Sequence, residues 1–223
     1  MTESLSLVLL AAGHGRRFGG DKQLKGFGPG GELLLEYDLY DARRAGFDRA
    51  VIVVRPEMEA RFRERLDDGA ARAMAIEYAH QVGPGGTGHA LLMARHLVSG
   101  AFAVANADDI YGPAAFAVLA DVLAAPGDDW AMVGFELART LSPSGPVSRA
   151  LCLTDENGRL TGLAEMPQVT VGATPIEKDL CFLVWSTDNT ATVVPGCDPG
   201  SGPKSCAIRF SYSASPGMVV DSF

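Results

Sequence analysis

The sequence predicts an α/β protein in which helices cover a mostly parallel β-sheet, forming three layers. Short apolar and β-branched runs alternate with amphipathic segments through the first half of the chain, and this alternation is typical of β-α-β units. Glycine-rich or polar loops follow three of these runs, as expected at the ligand-binding edge of a parallel sheet. The length of 223 residues suits one large domain, with or without a small appendage.

The predicted elements follow each other in the order strand, helix, strand. Residues 6–10 form an apolar run typical of a buried strand, and residues 32–45 have the apolar spacing of a helix that ends at Gly46. Further strands are predicted at 50–54, 74–78, 101–105, 130–137, 149–153 and 159–165, the last two as a hairpin. Further helices are predicted at 57–66, 90–97 and 113–124.

The C-terminal part of the chain differs in composition from the rest. Beyond Asp179 there is no glutamate, the only cations are Lys204 and Arg209, and no helical period is visible. We therefore predict one domain over residues 1–178 and leave residues 179–223 as an unassigned C-terminal segment.

Composition argues against several classes of partner. The net charge is −8 and basic residues cluster only in the first glycine-rich loop, which argues against nucleic acid binding. No apolar stretch approaches the ~20 residues of a membrane span, and the start lacks the cationic region of a secretory signal. The four cysteines lack C-x-x-C spacing, so we expect reduced thiols without a zinc site. These observations predict a cytoplasmic protein without membrane partners.

The most informative motif is L-A-A-G-H-G-R-R-F-G-G-D-K at residues 10–22. Its glycines allow backbone N–H groups to turn inward, in conformations that other residues resist. Three cations, Arg16, Arg17 and Lys22, lie in the same loop. The motif therefore predicts a site for a polyphosphate.

Two common phosphate-binding motifs do not fit this loop. The dinucleotide fingerprint G-x-G-x-x-G finds Phe18 at its third glycine, and the next strand is followed by Arg55 where an acid for a ribose is expected. The P-loop pattern is interrupted by Asp21 before the lysine, and Gln23 stands where a magnesium-binding hydroxyl is required.

The remaining pattern, L-A-A-G-x-G-x-R-F-G-G-x-K, resembles the first loop of nucleotidyltransferases of the glycosyltransferase-A type fold. This group includes sugar-1-phosphate nucleotidyltransferases, molybdopterin guanylyltransferases and isoprenoid cytidylyltransferases. Three further segments resemble other motifs of the same family. They are Gly86–Ala90, Asn106–Asp109 and the predicted hairpin that ends in Glu165. The resemblance extends from Leu5 to about Met166 and implies a Rossmann-like sheet.

The resemblance also implies roles for individual residues. Arg17 and Lys22 are expected to be the catalytic cations, and Asp108 is expected to hold Mg²⁺. Tyr111 and Glu165 are expected to line the acceptor pocket. Nucleotide contacts are expected from Leu10, Ala11, Ala12, Gly13, Gly15, Gln81, Gly86, Thr87, Gly88 and Asn106.

The implied activity is Mg²⁺-dependent transfer of a nucleoside monophosphate from a triphosphate to a phosphorylated acceptor, with release of pyrophosphate. A sugar 1-phosphate is the expected acceptor. One alternative is a nucleotide-binding regulatory module with an incomplete metal site, because the family's later aspartate is not found within residues 180–223. A second is a glycosyltransferase of the same fold, although residues 106–108 supply only one acid of its D-x-D motif. The nucleobase, the acceptor and the oligomeric state stay open.

Overall fold

The computed structural model describes residues 4–13, 22–66, 74–83, 85–125, 130–154, 160–170, 179–182, 190–193 and 205–210. These residues form two compact units, which divide between Ala124 and Ala125.

In the described part of the chain, the first unit is built on a four-stranded parallel sheet. Its strands are β1 (Leu5–Leu10), β2 (Phe47–Val54), β3 (Ala75–His80) and β4 (Phe102–Asn106). The spatial order is β3-β2-β1-β4. The flanking helices are α1 (Leu34–Arg44), α2 (Glu59–Leu66), α3 (Gly86–Ala94) and α4 (Pro113–Ala124). The predicted α/β class with a parallel sheet is confirmed.

Local sequence explains the limits of α1. Its buried residues Leu35, Leu39 and Ala42 recur at the spacing of one helix face. At its start, the Leu33 N–H donates to the Glu36 carboxylate over 2.7 Å, which satisfies an amide that the helix itself leaves unpaired. After its end, Gly46 has a φ of +104°, a conformation that glycine adopts without strain. The predicted helix end is therefore correct.

The second unit contains a six-stranded antiparallel sheet within the described residues. Its strands are β5 (Trp130–Glu136), β6 (Val147–Thr154), β7 (Leu160–Val169), β8 (Asp179–Phe182), β9 (Thr190–Val193) and β10 (Ser205–Phe210), in the order β7-β6-β8-β5-β10-β9. Pairing of β6 with β7 confirms the predicted hairpin, and its predicted turn at 155–158 lies outside the described residues. Three strands thus occur in the segment that the sequence left unassigned.

Leu137, Leu151 and Val169 form a buried cluster in this second unit. Cys152 is also buried there and is disulfide-bonded, so the expectation of reduced thiols is wrong for this residue. None of the described helices is long and apolar enough to cross a membrane.

Candidate active site

The candidate site lies at the carboxyl ends of β1 and β4. Leu10 and Asn106, the last residues of the two strands, are register partners. The Ala107 N–H donates to the Leu10 carbonyl over 3.1 Å, so the two following loops begin side by side. Because β2 lies on one side of β1 and β4 on the other, the strand order reverses here. Such a reversal opens a ligand-binding crevice in α/β sheets.

The first loop of the site is anchored at both of its described ends. The Ala11 N–H donates to the Val53 carbonyl over 2.8 Å, which extends the pairing of β1 with β2. At the far end, Gln23 Nε2 donates to the Gly13 carbonyl over 2.7 Å. Gln23 is buried and belongs to a 3-10 turn, Lys22–Leu24. This hydrogen bond brings the two ends of the predicted phosphate loop together.

Several predicted site residues belong to the middle of this loop. Gly15 and Arg17 lie outside the described residues, as does the side chain of Lys22, whose backbone opens the 3-10 turn. Their predicted roles therefore stay predictions. Sequence reasoning missed the anchoring role of Gln23. The available signal was its polar side chain, one residue after the motif lysine.

The second glycine-rich segment forms the start of a helix. The Gln81 N–H donates to the Val54 carbonyl over 2.9 Å, and its side-chain Nε2 donates to the Gly86 carbonyl over 2.9 Å. The same Nε2 lies 3.3 Å from Nδ1 of His89. Gln81 therefore links the end of β3 to the first turn of α3. Gly86, Thr87 and Gly88 form that turn, and all three residues are exposed.

The sequence placed residues 81–89 in a loop and began the helix at Ala90, and this boundary is wrong. Helix α3 begins at Gly86, where the Gln81 side chain binds the Gly86 carbonyl and holds the first turn despite the weak helix propensity of its glycines. Gly85, just before the helix, lies against His89, and an added Cβ there would overlap the imidazole ring. Close contact with a side chain thus explains this glycine.

The acidic loop after β4 is closed by its own side chains. The Asn106 N–H donates to the Tyr111 hydroxyl over 2.9 Å, and Asn106 Nδ2 donates to the Asp109 carboxylate over 3.3 Å. The Tyr111 ring packs edge-on against Phe116 of α4, with 6.2 Å between ring centroids. Asp108 lies half-buried within this closed loop. The described contacts make Tyr111 part of the loop framework, and its predicted contact with an acceptor stays a prediction.

Asp38 of α1 contacts the acidic loop at the Tyr111 backbone. The sequence alone did not identify it as a site residue. Its side chain is fully buried, and its Oδ1 accepts the Tyr111 N–H over 3.3 Å. Burial raises the pKa of Asp38 to about 8; the Tyr111 N–H opposes this shift and the nearby carboxylates of Asp41 and Asp109 add to it. Burial, together with Asp109, also raises the pKa of Tyr111 well above its usual range. The sequence signal was an acidic residue among the apolar positions of a helix.

The donor chemistry of the acidic loop fits Mg²⁺. Among the described residues, no group of three or more His, Cys, Asp or Glu side chains could hold a metal ion. Mg²⁺ commonly takes only one or two carboxylates and completes its shell with phosphate oxygens and water. A single carboxylate such as that of Asp108 is therefore compatible with a Mg²⁺ site, and its role as metal ligand stays a prediction.

Glu165 belongs to the second unit. It is exposed on β7 opposite Ala150 of β6. Its predicted role on the acceptor side stays a prediction.

Two solved structures with a similar architecture carry the names of nucleotidyltransferases. The crystal structure of UDP-glucose pyrophosphorylase complexed with UDP-glucose matches with a TM-score of 0.59 and 17% identity, covering 83% of this chain and 76% of that one. The inositol-1-phosphate CTP transferase from T. maritima matches with a TM-score of 0.60 and 17% identity, covering 84% and 72%. These similarities establish a nucleotidyltransferase fold of the glycosyltransferase-A type.

Residues 7–167 match the model of the MobA-like NTP transferase domain, and the chain belongs to that family. The predicted family resemblance is therefore confirmed. A stretch of 95 residues is 39% identical to the bifunctional protein GlmU of Symbiobacterium thermophilum. This alignment covers 42% of the chain and 18% of GlmU, so the chain spans less than a fifth of that relative's length.

Proposed function

We propose that this protein transfers a nucleoside monophosphate from a nucleoside triphosphate to a sugar 1-phosphate and releases pyrophosphate. The observation that carries the proposal is the pairing of Leu10 with Asn106, because it starts the glycine-rich loop and the acidic loop at one crevice. Family membership supports transfer of a nucleotide. The names of the matched proteins support a phosphorylated acceptor, because the CTP transferase from T. maritima is named for inositol 1-phosphate.

In the proposed reaction, an acceptor phosphate oxygen attacks the α-phosphorus, and the bond from that phosphorus to the pyrophosphate oxygen breaks. Negative charge grows on the leaving and non-bridging oxygens, so fixed cations and N–H groups stabilise the transition state. Arg17 has a planar donor fork suited to the β- and γ-phosphates. Lys22 has a compact charge suited to the α-phosphate and the attacking group. No covalent enzyme intermediate is required.

Asp108 would hold Mg²⁺ with the triphosphate. A bound Mg²⁺ would neutralise charge on the phosphate oxygens as the bond breaks. The chain's own contribution is to hold the carboxylate at the crevice through the closed loop of Asn106 and Tyr111. Gln81 and the first turn of α3 would contact the base and ribose, and Glu165 would contact the acceptor. The proposed location is the cytoplasm, as the sequence predicts.

A pyrophosphate-release assay with a panel of triphosphates and sugar phosphates tests this function. We expect Mg²⁺-dependent turnover for at least one pair, and a loss of about 10²-fold or more in Lys22→Ala if this lysine contacts the transition state. Lys25→Ala is the matched control, because Lys25 is exposed and lies over the Phe27 ring, with Nζ 5.8 Å from its centroid.

Calorimetric titration with the triphosphate and Mg²⁺ separates an enzyme from a binding module. Tight binding without turnover for any pair would contradict the proposed activity and support the regulatory alternative. Unchanged turnover in Lys22→Ala would remove that residue from the mechanism.

A further inference from the structure

A buried carboxyl group on α1 occupies a position where the helix pattern calls for an apolar side chain. Asp38 lies on the same face as Leu35, Leu39 and Ala42, and all four residues are buried. Oδ1 of Asp38 accepts the Tyr111 N–H over 3.3 Å. Within the described part of the chain, no group hydrogen-bonds to its Oδ2, which is buried as well.

Stability alone does not explain this aspartate. A buried polar atom without a partner is destabilising, whereas an apolar group of similar shape avoids that penalty. The remaining contribution of Asp38 is the position that it gives to the Tyr111 backbone.

The Tyr111 backbone in turn determines the shape of the acidic loop. Its hydroxyl accepts the Asn106 N–H, so Tyr111 spans the loop from one end to the other, with Asp108 between. Its ring is held by Phe116, which itself packs edge-on against Phe47 with 6.3 Å between ring centroids. Asp38 thus anchors the backbone of the residue whose side chain closes the loop.

We propose that Asp38 is a positioning residue that sets the geometry of the acidic loop and thereby the affinity of Asp108 for the divalent cation. The inference rests on the proposed function insofar as Asp108 is the metal ligand. Asp38 itself stays within the core and does not contact substrate. Its effect is therefore on the metal requirement, with the KM for the acceptor unchanged.

The test compares three variants of the full chain. Asp38→Leu removes the acceptor of the Tyr111 N–H, and Asp38→Asn keeps an oxygen acceptor but cannot ionise. Asp41→Asn is the matched control, because it makes the same change on a half-buried residue of the same helix. The readouts are the Mg²⁺ concentration for half-maximal turnover and Mn²⁺ binding by electron paramagnetic resonance with a non-hydrolysable triphosphate analogue.

We expect Asp38→Leu to raise the half-maximal Mg²⁺ concentration and the Mn²⁺ dissociation constant about tenfold, which corresponds to one lost hydrogen bond. Asp38→Asn should stay within about twofold of the wild type, and Asp41→Asn should match it. Asp38→Leu removes the partnerless Oδ2 but also leaves the Tyr111 N–H without its acceptor, so the two effects oppose each other and the melting temperature should stay within about 4 °C of the wild type. A merely structural role would instead lower the melting temperature and leave the metal requirement unchanged.

A second variant keeps the proposal testable if Asp38→Leu does not fold. Tyr111→Phe removes the acceptor of the Asn106 N–H, and we expect the Mn²⁺ dissociation constant to rise about threefold or more. Wild-type metal affinities in both Asp38→Leu and Tyr111→Phe would overturn the positioning role. A defect in Asp38→Asn as large as that of Asp38→Leu would also overturn it. A wild-type chain without turnover contradicts the proposed function, and the Mn²⁺ titration then decides the role of Asp38 alone.

Discussion

At the residue scale, the site depends on a few buried polar side chains that hold loop backbone. Gln23 and Asp38 each bind a main-chain group of a loop at the crevice. Neither belongs to a motif that the sequence analysis recognised. The motif residues are proposed from the sequence because phosphate chemistry favours glycine and cations in one loop, whereas the anchors depend on partners 10 and 73 residues away.

The raised pKa of Asp38 predicts a dependence of stability on pH. Its folded-state pKa of about 8 exceeds the ordinary value of 3.8, so between these values the folded chain binds a proton that the unfolded chain lacks. The free energy of unfolding therefore falls as pH rises through this window, by up to about 1.4 kcal/mol per pH unit. The comparison is wild type against Asp38→Asn, by urea unfolding at pH 5, 6 and 7 in metal-free buffer. Parallel pH profiles for the two proteins would show that Asp38 titrates normally.

The Gln23 anchor predicts a selective effect on nucleotide binding. Gln23→Leu keeps the approximate side-chain volume but removes the donor to the Gly13 carbonyl. The folded conformation of the phosphate loop is then about 1 kcal/mol less stable. We expect the KM for the triphosphate to rise about fivefold, with Lys25→Ala as the control. Steady-state kinetics at saturating acceptor measures the effect, and an unchanged KM would mean that the loop holds its shape without this hydrogen bond.

At the element scale, strand and helix identities follow from local patterns, but one functional boundary does not. The apolar runs of β1, β2 and β4 and the start of α4 at Pro113 were predictable, because burial and proline chemistry act locally. Helix α3 begins four residues before its predicted start, at Gly86 rather than Ala90. Glycines at 85, 86 and 88 suggest a loop, and the hydrogen bond from the Gln81 side chain to the Gly86 carbonyl, which holds the first turn, leaves no local pattern in the sequence.

The start of α3 gives a matched pair of glycine substitutions. Gly85→Ala should lower thermal stability, because its Cβ would overlap the His89 ring, whereas an added Cβ at Gly88 meets nothing within 4 Å. Gly88→Ala should raise stability by up to about 1 kcal/mol, since alanine is the better helix former. Thermal unfolding followed by circular dichroism measures both changes. Equal effects of the two substitutions would contradict the contact between Gly85 and His89.

At the scale of the whole molecule, the parallel sheet of the first unit could be predicted and the second unit only in part. The hairpin of β6 and β7 is local, and its alternating pattern is visible in the sequence. Strands β8 and β10 instead pair with β5, across separations of tens of residues. Such pairing leaves no local period and no turn signal, so residues 179–223 could not be assigned from the sequence.

The proposed mechanism requires the glycine-rich loop and the acidic loop to act on one nucleotide. A double-mutant cycle tests it most directly, with kcat/KM measured for the wild type, Lys22→Ala, Asp108→Asn and the double variant. Residues that act on the same transition state are strongly non-additive. We expect each single variant to lose about 10²-fold or more in kcat/KM. The double variant should have a kcat/KM only slightly below that of the less active single variant. Losses that simply multiply, or wild-type turnover in either single variant, would contradict a shared site.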